Sequence, residues 1–304
     1  KGKWISKKGS SLLCEGNRLI QYKFIEKEQH EFGVRWLLRK FNLSPNAYYN
    51  YKKKNKEVQN TMKENIKKII KEKYHYFEGV MGYRKINIQL KKENIFISLP
   101  TTLKYMQELN LKSIVVKKKN KVKYNEPVHK TFENVIEQNF EATVPNEKWC
   151  SDLTYIKLNN GKFVYACAII DLYDRSIVGF DISTNMKAEF VKEVLKKAKI
   201  ENKVKNSLIF HSDQGRQYTS KLLVEYCEKE GIIQSMSRKG TPYDNAVMES
   251  FFGKFKAEKM NNYILKDYET AKEIAMDYVH MYYNSRRPHS SLNGLTPLEK
   301  RYTA

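Results

Sequence analysis

Three carboxylates in this sequence are the residues best suited to chemistry. Asp152 lies in WCSDLTYI, Asp213 in IFHSDQGRQY and Glu249 in DNAVMESFFGKFK. Sixty residues (153–212) lie between the first two, and 35 residues (214–248) lie between the second and the third. Each carboxylate adjoins a segment with the pattern of a strand or a helix, which can hold it rigidly. Carboxylates that converge in this way bind Mg²⁺, and two Mg²⁺ ions in one site promote the cleavage of phosphodiesters.

From residue 149 onward the sequence predicts the elements that must position these carboxylates. Three strand-like segments come first, WCSDLTYIKL, FVYACAIIDLY and RSIVGFDIS, and FVYACAII is almost continuously apolar, as in a strand buried on both faces. A helix, a fourth strand (SLIFHSD), a second helix closed by Gly231 and a short fifth strand (IIQSMS) follow. This order predicts an α/β fold similar to the ribonuclease-H-like type, with a mixed five-stranded sheet and flanking helices.

The predicted sheet brings two of the carboxylates together. Asp152 falls in the first strand and Asp213 at the end of the fourth, and neighbouring strands lie roughly 4.8 Å apart. Glu249 falls on the helix after the fifth strand, which we predict to begin near Asp244 as its N-cap. The three acidic side chains are therefore predicted to share one site.

A polar stripe on this helix predicts how the site is completed. At about 100° per residue, Asn245, Glu249 and Lys256 lie within about 40° of one another. We predict two Mg²⁺ ions, which Mn²⁺ would replace, with Asp152 bridging both ions and Asp213 and Glu249 each completing one. Lys256 would hold a DNA phosphate beside the site, and Asn245 would contact DNA as well. The attacking group would be water or a DNA 3′-hydroxyl.

Other polar residues near these segments have two interpretations each. Asp171 and Asp174 flank a strand in DLYDR, and we interpret them as turn-forming residues rather than metal ligands. His211 precedes Asp213 by two positions and shares its strand face, which favours a packing or orienting role over a ligand role. Arg216, in the loop after Asp213, is predicted to contact DNA, although a role in the turn fits equally well.

The bulk composition indicates a polyanionic partner. The 304 residues are enough for two or three domains, and they carry a formal net charge of +22, which is typical of proteins that bind nucleic acid. Most of the excess is lysine rather than arginine. The charge therefore indicates contact with phosphates more than readout of bases.

The cysteines and the hydropathy exclude several classes of protein. Cys14, Cys150, Cys167 and Cys227 are scattered and form no CxxC pair. This spacing predicts neither a disulfide framework nor a zinc site, and it indicates a reducing compartment such as the cytoplasm. No apolar run approaches the roughly 18–20 residues needed to span a bilayer, so we expect no membrane partner.

The first part of the chain is predicted to be helical beyond residues 1–30, which are polar and weakly patterned. Residues 31–60 contain an amphipathic helix (VRWLLRKF), a short turn and a basic aromatic helix (NAYYNYKKK) capped by Ser44, the outline of a helix-turn-helix. Residues 61–115 contain a second unit of this type, with helices in KENIKKIIKEKY, in GYRKINIQL and behind a capping Ser98.

The remaining segments are a linker and the α/β domain. Residues 116–145 are basic and aperiodic, and we predict a solvated tether there, with contact along a phosphate backbone as the alternative. Residues 146–304 are predicted to form the α/β domain with additional C-terminal helices. Near its end, YYNSRRPHSSLNGLTPLEK carries Arg286 and Arg287, which we predict to contact DNA, with a capped helix end and a surface turn as the alternative.

Four motifs together resemble those of bacterial insertion-sequence transposases of the third family, in their B-frame catalytic product: WCSDLTYI, FHSDQGRQYTS, YDNAVMESFFGKFKAE and YYNSRRPHSSLNGLTP. Retroviral integrase is similar at a greater distance. The D,D(35)E spacing matches, as does a basic residue, Lys256, seven positions after the glutamate. MGYRKINIQL resembles the helix-turn-helix ahead of the core in these transposases, where we expect Arg84 and Lys85 to contact DNA. A purely structural bundle is the alternative for that segment. The resemblance covers roughly residues 32–300.

The resemblance implies a DNA transposase that binds terminal inverted repeats and target DNA, with Asp152, Asp213 and Glu249 as the DDE triad of Mg²⁺-dependent strand cleavage and strand transfer. It also implies a homo-oligomer on DNA in the bacterial nucleoid and an A-frame partner protein, which is fused by frameshifting in some elements. Residues 1–30 show no clear heptad, so we expect the fused form to be absent or incomplete. Two alternatives remain, a non-catalytic DNA-binding regulator with a degenerate integrase core and a ribonuclease of the same fold.

Overall fold

The computed structural model describes residues 18–54, 56–114, 131–205, 207–238 and 241–303. Cys14 and residues 116–130, for which the sequence makes predictions, lie outside the described part. The chain divides into two compact units, Lys1–Lys73 and Tyr74–Ala304.

Three helices of the first unit share a small apolar core. The helix–turn–helix expected from VRWLLRKF and NAYYNYKKK is present as α2 and α3. α1 precedes them where the sequence predicted no pattern, because its two buried apolar residues, Tyr22 and Ile25, are too few to mark a helical face. The bounds are α1 (Arg18–Phe32), α2 (Val34–Lys40) and α3 (Pro45–Lys54).

The next three helices match the second predicted helical unit. Ser98 caps the third of them by accepting a hydrogen bond from the helix backbone, as its position predicted. Asn87 is buried between the second and the third, and its side chain donates to the hydroxyl of Thr102 at 2.8 Å, which joins the two helices. The bounds are α4 (Lys56–Tyr76), α5 (Tyr83–Lys92) and α6 (Leu99–Glu108).

A mixed five-stranded sheet forms the centre of the second unit, as the sequence predicted. The strand order is β3-β2-β1-β4-β5. β1, β2 and β3 form an antiparallel meander, and β4 lies parallel to both β1 and β5. The bounds are β1 (Lys148–Lys157), β2 (Phe163–Asp171), β3 (Ile177–Ser183), β4 (Leu208–Ser212) and β5 (Ile232–Met236).

Helices connect the later strands and follow the last one. After β5, the chain passes through a 3₁₀ turn (Pro242–Asn245) into a helix that packs against β1. The helix bounds are α7 (Ala188–Glu201), α8 (Lys221–Lys229), α9 (Ala246–Glu258), α10 (Tyr268–Met276) and α11 (Pro297–Tyr302), with a π-helical segment over Asp277–Tyr283.

Each face of the sheet is buried under a separate apolar cluster. Along β2, Ala166, Ala168 and Ile170 face the cluster that contains the phenylalanines of α9. Cys167 and Ile169 alternate with them and face the cluster built with α7 and α8. Burial on both faces explains why FVYACAII is apolar without alternation.

Part of the predicted linker is folded. Within residues 131–145, Ile136 is buried in the cluster beneath α9. Asn134 and Gln138 donate to the carboxylate of Asp244 at 2.9 and 2.8 Å. The prediction of a solvated tether is wrong for this stretch, because a few inserted side chains hold it and no regular element is needed.

Three cysteines are buried in the described part of the chain. Cys150, Cys167 and Cys227 are free thiols in the interior, and burial raises the pKa of Cys150 and of Cys167 to about 12. Across the described ranges, no helix combines the length and the apolar character needed to cross a bilayer.

Candidate active site

The strand register predicts that two of the three carboxylates lie on one face of the sheet. β1 and β4 pair in parallel, with Cys150 beside His211. Two residues further along each strand direction come Asp152 and Asp213, and side chains two positions apart share a face. That face is the one covered by α9, because Cys150 belongs to the apolar cluster that contains Met248.

Asp152 is half-buried within β1, opposite Ala168 of β2. Its Oδ1 accepts a hydrogen bond from the N–H of Leu153 at 2.7 Å. The central position of β1, with strands on both sides, gives this carboxylate a rigid backbone.

Asp213 directly follows β4, where the strand ends and the chain turns. Its Oδ1 accepts a hydrogen bond from the N–H of Gly215 at 3.0 Å. Burial raises the pKa of Asp213, and the N–H of Gly215 only partly opposes this effect. A Cβ at Gly215 would lie 2.9 Å from Oδ1 of Asp213, so any side chain there would displace the carboxylate.

Glu249 lies exposed in the first turn of α9, which packs on the sheet through Met248, Phe251, Phe252 and Phe255. The helix begins one residue later than predicted, with Asn245 rather than Asp244 at the N-cap. Asp244 lies in the preceding 3₁₀ turn, where the hydrogen bonds of Arg238 hold the pKa of its carboxyl far below the ordinary range.

The charges of Asp152 and Asp213 both act on the buried hydroxyl of Tyr218. Burial raises the pKa of Tyr218 well above its ordinary value, and the charges of Asp152 and Asp213 both add to the shift. The Tyr218 hydroxyl is 2.9 Å from that of Ser151. Among the described residues, however, no three His, Cys, Asp or Glu side chains form a group that could hold a metal ion. Convergence of the complete triad stays a prediction.

His211 connects the strand that precedes Asp213 to the start of the helix that carries Glu249. The His211 ring is buried. Its Nδ1 lies 2.9 Å from the hydroxyl oxygen of Ser235, and its Nε2 lies 2.9 Å from the carbonyl oxygen of Asp244. Because a carbonyl only accepts, Nε2 carries the proton, and burial lowers the pKa of the ring. The structure thus gives His211 an orienting role, one of the two interpretations that the sequence allowed.

Lys256 lies near β1, the strand that carries Asp152. Its Nζ is 4.6 Å from the centre of the exposed Tyr155 ring, within the range of a cation–π contact. Among the other predicted DNA contacts, Arg84, Arg216 and Arg286 are exposed, whereas Asn245 is buried. Asn245 Oδ1 has no hydrogen-bond partner among the described residues.

Arg287 and Lys85, two of the predicted DNA contacts, both form ion pairs with Glu258. Arg287 is 3% exposed, and its guanidinium makes two hydrogen bonds to Glu258, at 2.8 and 2.7 Å. Lys85 Nζ donates to the same carboxylate at 3.1 Å. Burial alone would raise the pKa of Glu258, but the hydrogen bonds and charges of Arg287 and Lys85 lower it to about 2. The burial of Arg287 therefore corrects its assignment from DNA contact to internal ion pair, whereas the side chain of Lys85 is 26% exposed and its DNA contact stays a prediction.

Asp171 and Asp174 shape the β2–β3 turn, as expected, but they also form a buried ion-pair cluster. Each accepts a hydrogen bond from a backbone N–H two residues later. Arg301 of α11 donates to both carboxylates at 2.5 Å. The sequence gave no signal for this partner, because 127 positions separate Asp174 from Arg301.

Comparison with known proteins agrees with this architecture. Residues 142–242 and 230–297 match two models described as integrase core domain, and residues 61–119 match an HTH-like domain. In structure, the chain is similar to the HTLV-2 integrase catalytic core domain, solved in complex with magnesium, at 17% identity and a TM-score of 0.42. That likeness covers 52% of this chain and 97% of the integrase domain.

Two of the relatives in sequence are transposases of Escherichia coli (strain K12). The chain is 36% identical over 236 residues to the putative transposase InsK for insertion sequence element IS150, across 78% of this chain and 82% of that protein. It is 27% identical over 280 residues to the transposase InsF for insertion sequence IS3A, across 91% of this chain and 97% of that protein. This chain belongs to the IS3 family of insertion-sequence transposases and is a DNA transposase with an integrase core.

Proposed function

We propose that this transposase binds the terminal inverted repeats of an insertion sequence and cuts and transfers DNA strands with Asp152, Asp213 and Glu249. One observation carries the proposal. Cys150 and His211 pair on adjacent parallel strands, Asp152 and Asp213 each come two residues later, and α9, with Glu249 on its first turn, packs on the sheet face of Cys150. The active complex would be a homo-oligomer on DNA in the nucleoid, with an A-frame protein as a further partner.

The donor set suits a hard divalent cation. Three carboxylates offer the oxygen ligands that Mg²⁺ prefers, and Mn²⁺ accepts the same donors. Within the described part of the chain, no lysine or arginine forms an ion pair with the half-buried carboxylate of Asp213, so a bound cation would compensate its charge. When bound there, two such ions supply Lewis-acid stabilisation of the phosphate and a lowered pKa for the attacking hydroxyl.

The protein side chains have separate roles in this proposal. Lys256 would hold a phosphate of the substrate beside the carboxylates, with Tyr155 fixing its ammonium group. Arg216 would contact DNA from the loop after Asp213, and exposed Arg84 and Arg286 would extend the contact. Through its hydrogen bonds, His211 would hold the strand that precedes Asp213 at a constant distance from the start of α9.

The proposal is tested by nicking of a DNA duplex that carries the terminal repeats, with Mg²⁺ present and absent. We expect Mg²⁺-dependent nicks from the wild type and none above background from Asp213→Asn. Asp267→Asn is the matched control, because Asp267 caps α10 at the surface and asparagine caps a helix equally well.

Two outcomes would replace the proposal. The first outcome is that the wild type and Asp213→Asn nick DNA equally, or that neither nicks it, while both still bind the repeats. This outcome would favour a non-catalytic DNA-binding regulator. Cleavage confined to an RNA–DNA hybrid would favour a ribonuclease of the same fold.

A further inference from the structure

The helices of the HTH-like segment that belong to the second unit are joined to the end of α9. Lys85 of α5 pairs with Glu258, the last residue of α9, at 3.1 Å. Glu78, which precedes α5, pairs with Lys259 at 3.0 Å and accepts a hydrogen bond from the Tyr263 hydroxyl at 3.0 Å. These contacts attach the HTH-like segment directly to the helix that carries Glu249.

A second set of contacts attaches the same segment to the C-terminal residues. Lys92, at the end of α5, pairs with Glu299 of α11 at 2.7 Å. Ile88 of α5 packs so closely on Gly294 that a Cβ there would lie 2.8 Å from Cγ2 of Ile88. We call these contacts the joint, with Glu78, Lys85, Ile88 and Lys92 on its HTH-like side and Glu258, Lys259, Gly294 and Glu299 on its catalytic side.

The joint and the candidate catalytic carboxylate lie at opposite ends of one rigid element. Glu249 is in the first turn of α9 and Glu258 is its last residue. Nine residues of helix at 1.5 Å each span about 13.5 Å. The middle of α9 is fixed by its buried phenylalanines, and its end by Arg287, Lys85 and the Tyr278 hydroxyl, which all contact Glu258. One continuous helix therefore connects the joint to Glu249.

We propose that the joint determines which phosphodiester is cut, by holding the HTH-like segment at a constant distance from Glu249. This inference rests on the proposed function, in which the HTH-like segment contacts the terminal repeat. DNA held by that segment would then reach the carboxylates in one register, and the neighbouring phosphate of the same strand lies about 3.4 Å further along the helix axis of a duplex. A loosened joint would allow several registers without removing any residue of the active site.

The test uses a variant that opens the joint without changing any lysine or arginine. Glu78→Gln and Glu299→Gln remove two of the ion pairs, and glutamine still serves in the Thr296 capping box. Gly294→Ala adds the methyl group that collides with Ile88. Cut positions on repeat DNA are read at nucleotide resolution from the products that form, and repeat affinity is measured in parallel.

A matched control applies the same kinds of change elsewhere. Gly161, at φ +82°, has the same left-handed backbone as Gly294, at φ +86°, but open space around it. Glu225 and Glu230 each form an ion pair with a lysine away from the joint. The control variant is therefore Gly161→Ala with Glu225→Gln and Glu230→Gln. A relief variant adds Ile88→Leu to the joint variant, because leucine lacks the Cγ2 methyl.

We expect the joint variant to raise the share of cuts at neighbouring phosphodiesters by about tenfold, which corresponds to about 1.4 kcal/mol of lost positional preference. The control should cut where the wild type cuts, and the relief variant should recover part of the wild-type pattern. An unchanged cut position in the joint variant overturns the inference, whether the total yield is normal or reduced. Absence of cutting by the wild type would instead refute the proposed function.

Discussion

At the scale of single residues, Glu249 offers the cleanest separation of catalysis from binding. It is exposed on the first turn of α9, whereas the packing of that helix depends on Met248 and the phenylalanines. We predict that Glu249→Gln lowers strand joining by about 10³-fold or more, the expected effect of losing a metal ligand worth several kcal/mol in the transition state. Repeat affinity should stay close to that of the wild type. Gel assays of joining and of binding measure the two effects.

Glu273→Gln is the control for this prediction. Glu273 is exposed on α10 and is not among the candidate catalytic residues. If Glu249→Gln joined strands at a nearly normal rate, Glu249 would not be a catalytic residue. A parallel loss of joining in both variants would indicate a general effect of charge.

The sequence predicts the role of a residue when local structure determines that role, and it fails when a distant partner determines it. Asp152 and Asp213 adjoin regular strands, so their shared face follows from strand alternation alone. Arg287 and Lys85 looked like surface cations because their partner, Glu258, becomes their neighbour only in the folded chain. The burial of a long charged side chain depends on such a partner, which local sequence does not reveal.

At the scale of elements, prediction succeeded where apolar residues follow a period. The five strands and the helices α5 and α6 appear where the sequence placed them. It failed for α1, which has few buried apolar residues, and for residues 131–145, which pack without regular structure. A period of apolar residues indicates an element whose face is buried along its whole length. An element that buries only one or two side chains shows no such period.

The attachment of α11 to the β2–β3 turn predicts a pH dependence of stability. Burial, followed by the charge of Asp174, raises the pKa of Asp171 to about 6, although backbone N–H groups and Arg301 oppose this shift. An unfolded aspartate has a pKa of about 3.9. The folded state therefore binds this proton more tightly, and the resulting stabilisation is complete below about pH 4 and is lost as the pH rises through about 6.

We expect the free energy of unfolding of the wild type, relative to Asp171→Asn, to decrease by up to about 3 kcal/mol between pH 4 and pH 7. Urea unfolding at several pH values measures this difference. Asp181→Asn is the control, since Asp181 pairs with Lys272 at 3.1 Å and lies away from Arg301. A constant difference between the wild type and Asp171→Asn across this range would contradict the assignment.

At the scale of the whole molecule, the net charge of +22 dominates encounters with DNA. Much of this charge is carried by lysines on exposed helix faces, which suits contact with phosphates rather than bases. The HTH-like helices α5 and α6 lie within the same compact unit as the catalytic domain. Phosphate contacts made by these helices and by the catalytic domain would therefore come from one compact unit.

Binding of DNA should consequently depend steeply on salt. Neutralising 6–10 phosphates releases condensed counterions, so we expect affinity for repeat DNA to fall by about 10³–10⁵ between 50 and 200 mM salt. Lys256→Ala should reduce the slope of log affinity against log salt by about 1 and weaken binding equally on repeat and unrelated duplexes, because a phosphate contact carries no sequence information. Fluorescence anisotropy titrations on both duplexes measure the slope. A flat response, or a loss confined to the repeat sequence, would show that Lys256 does not bind the backbone.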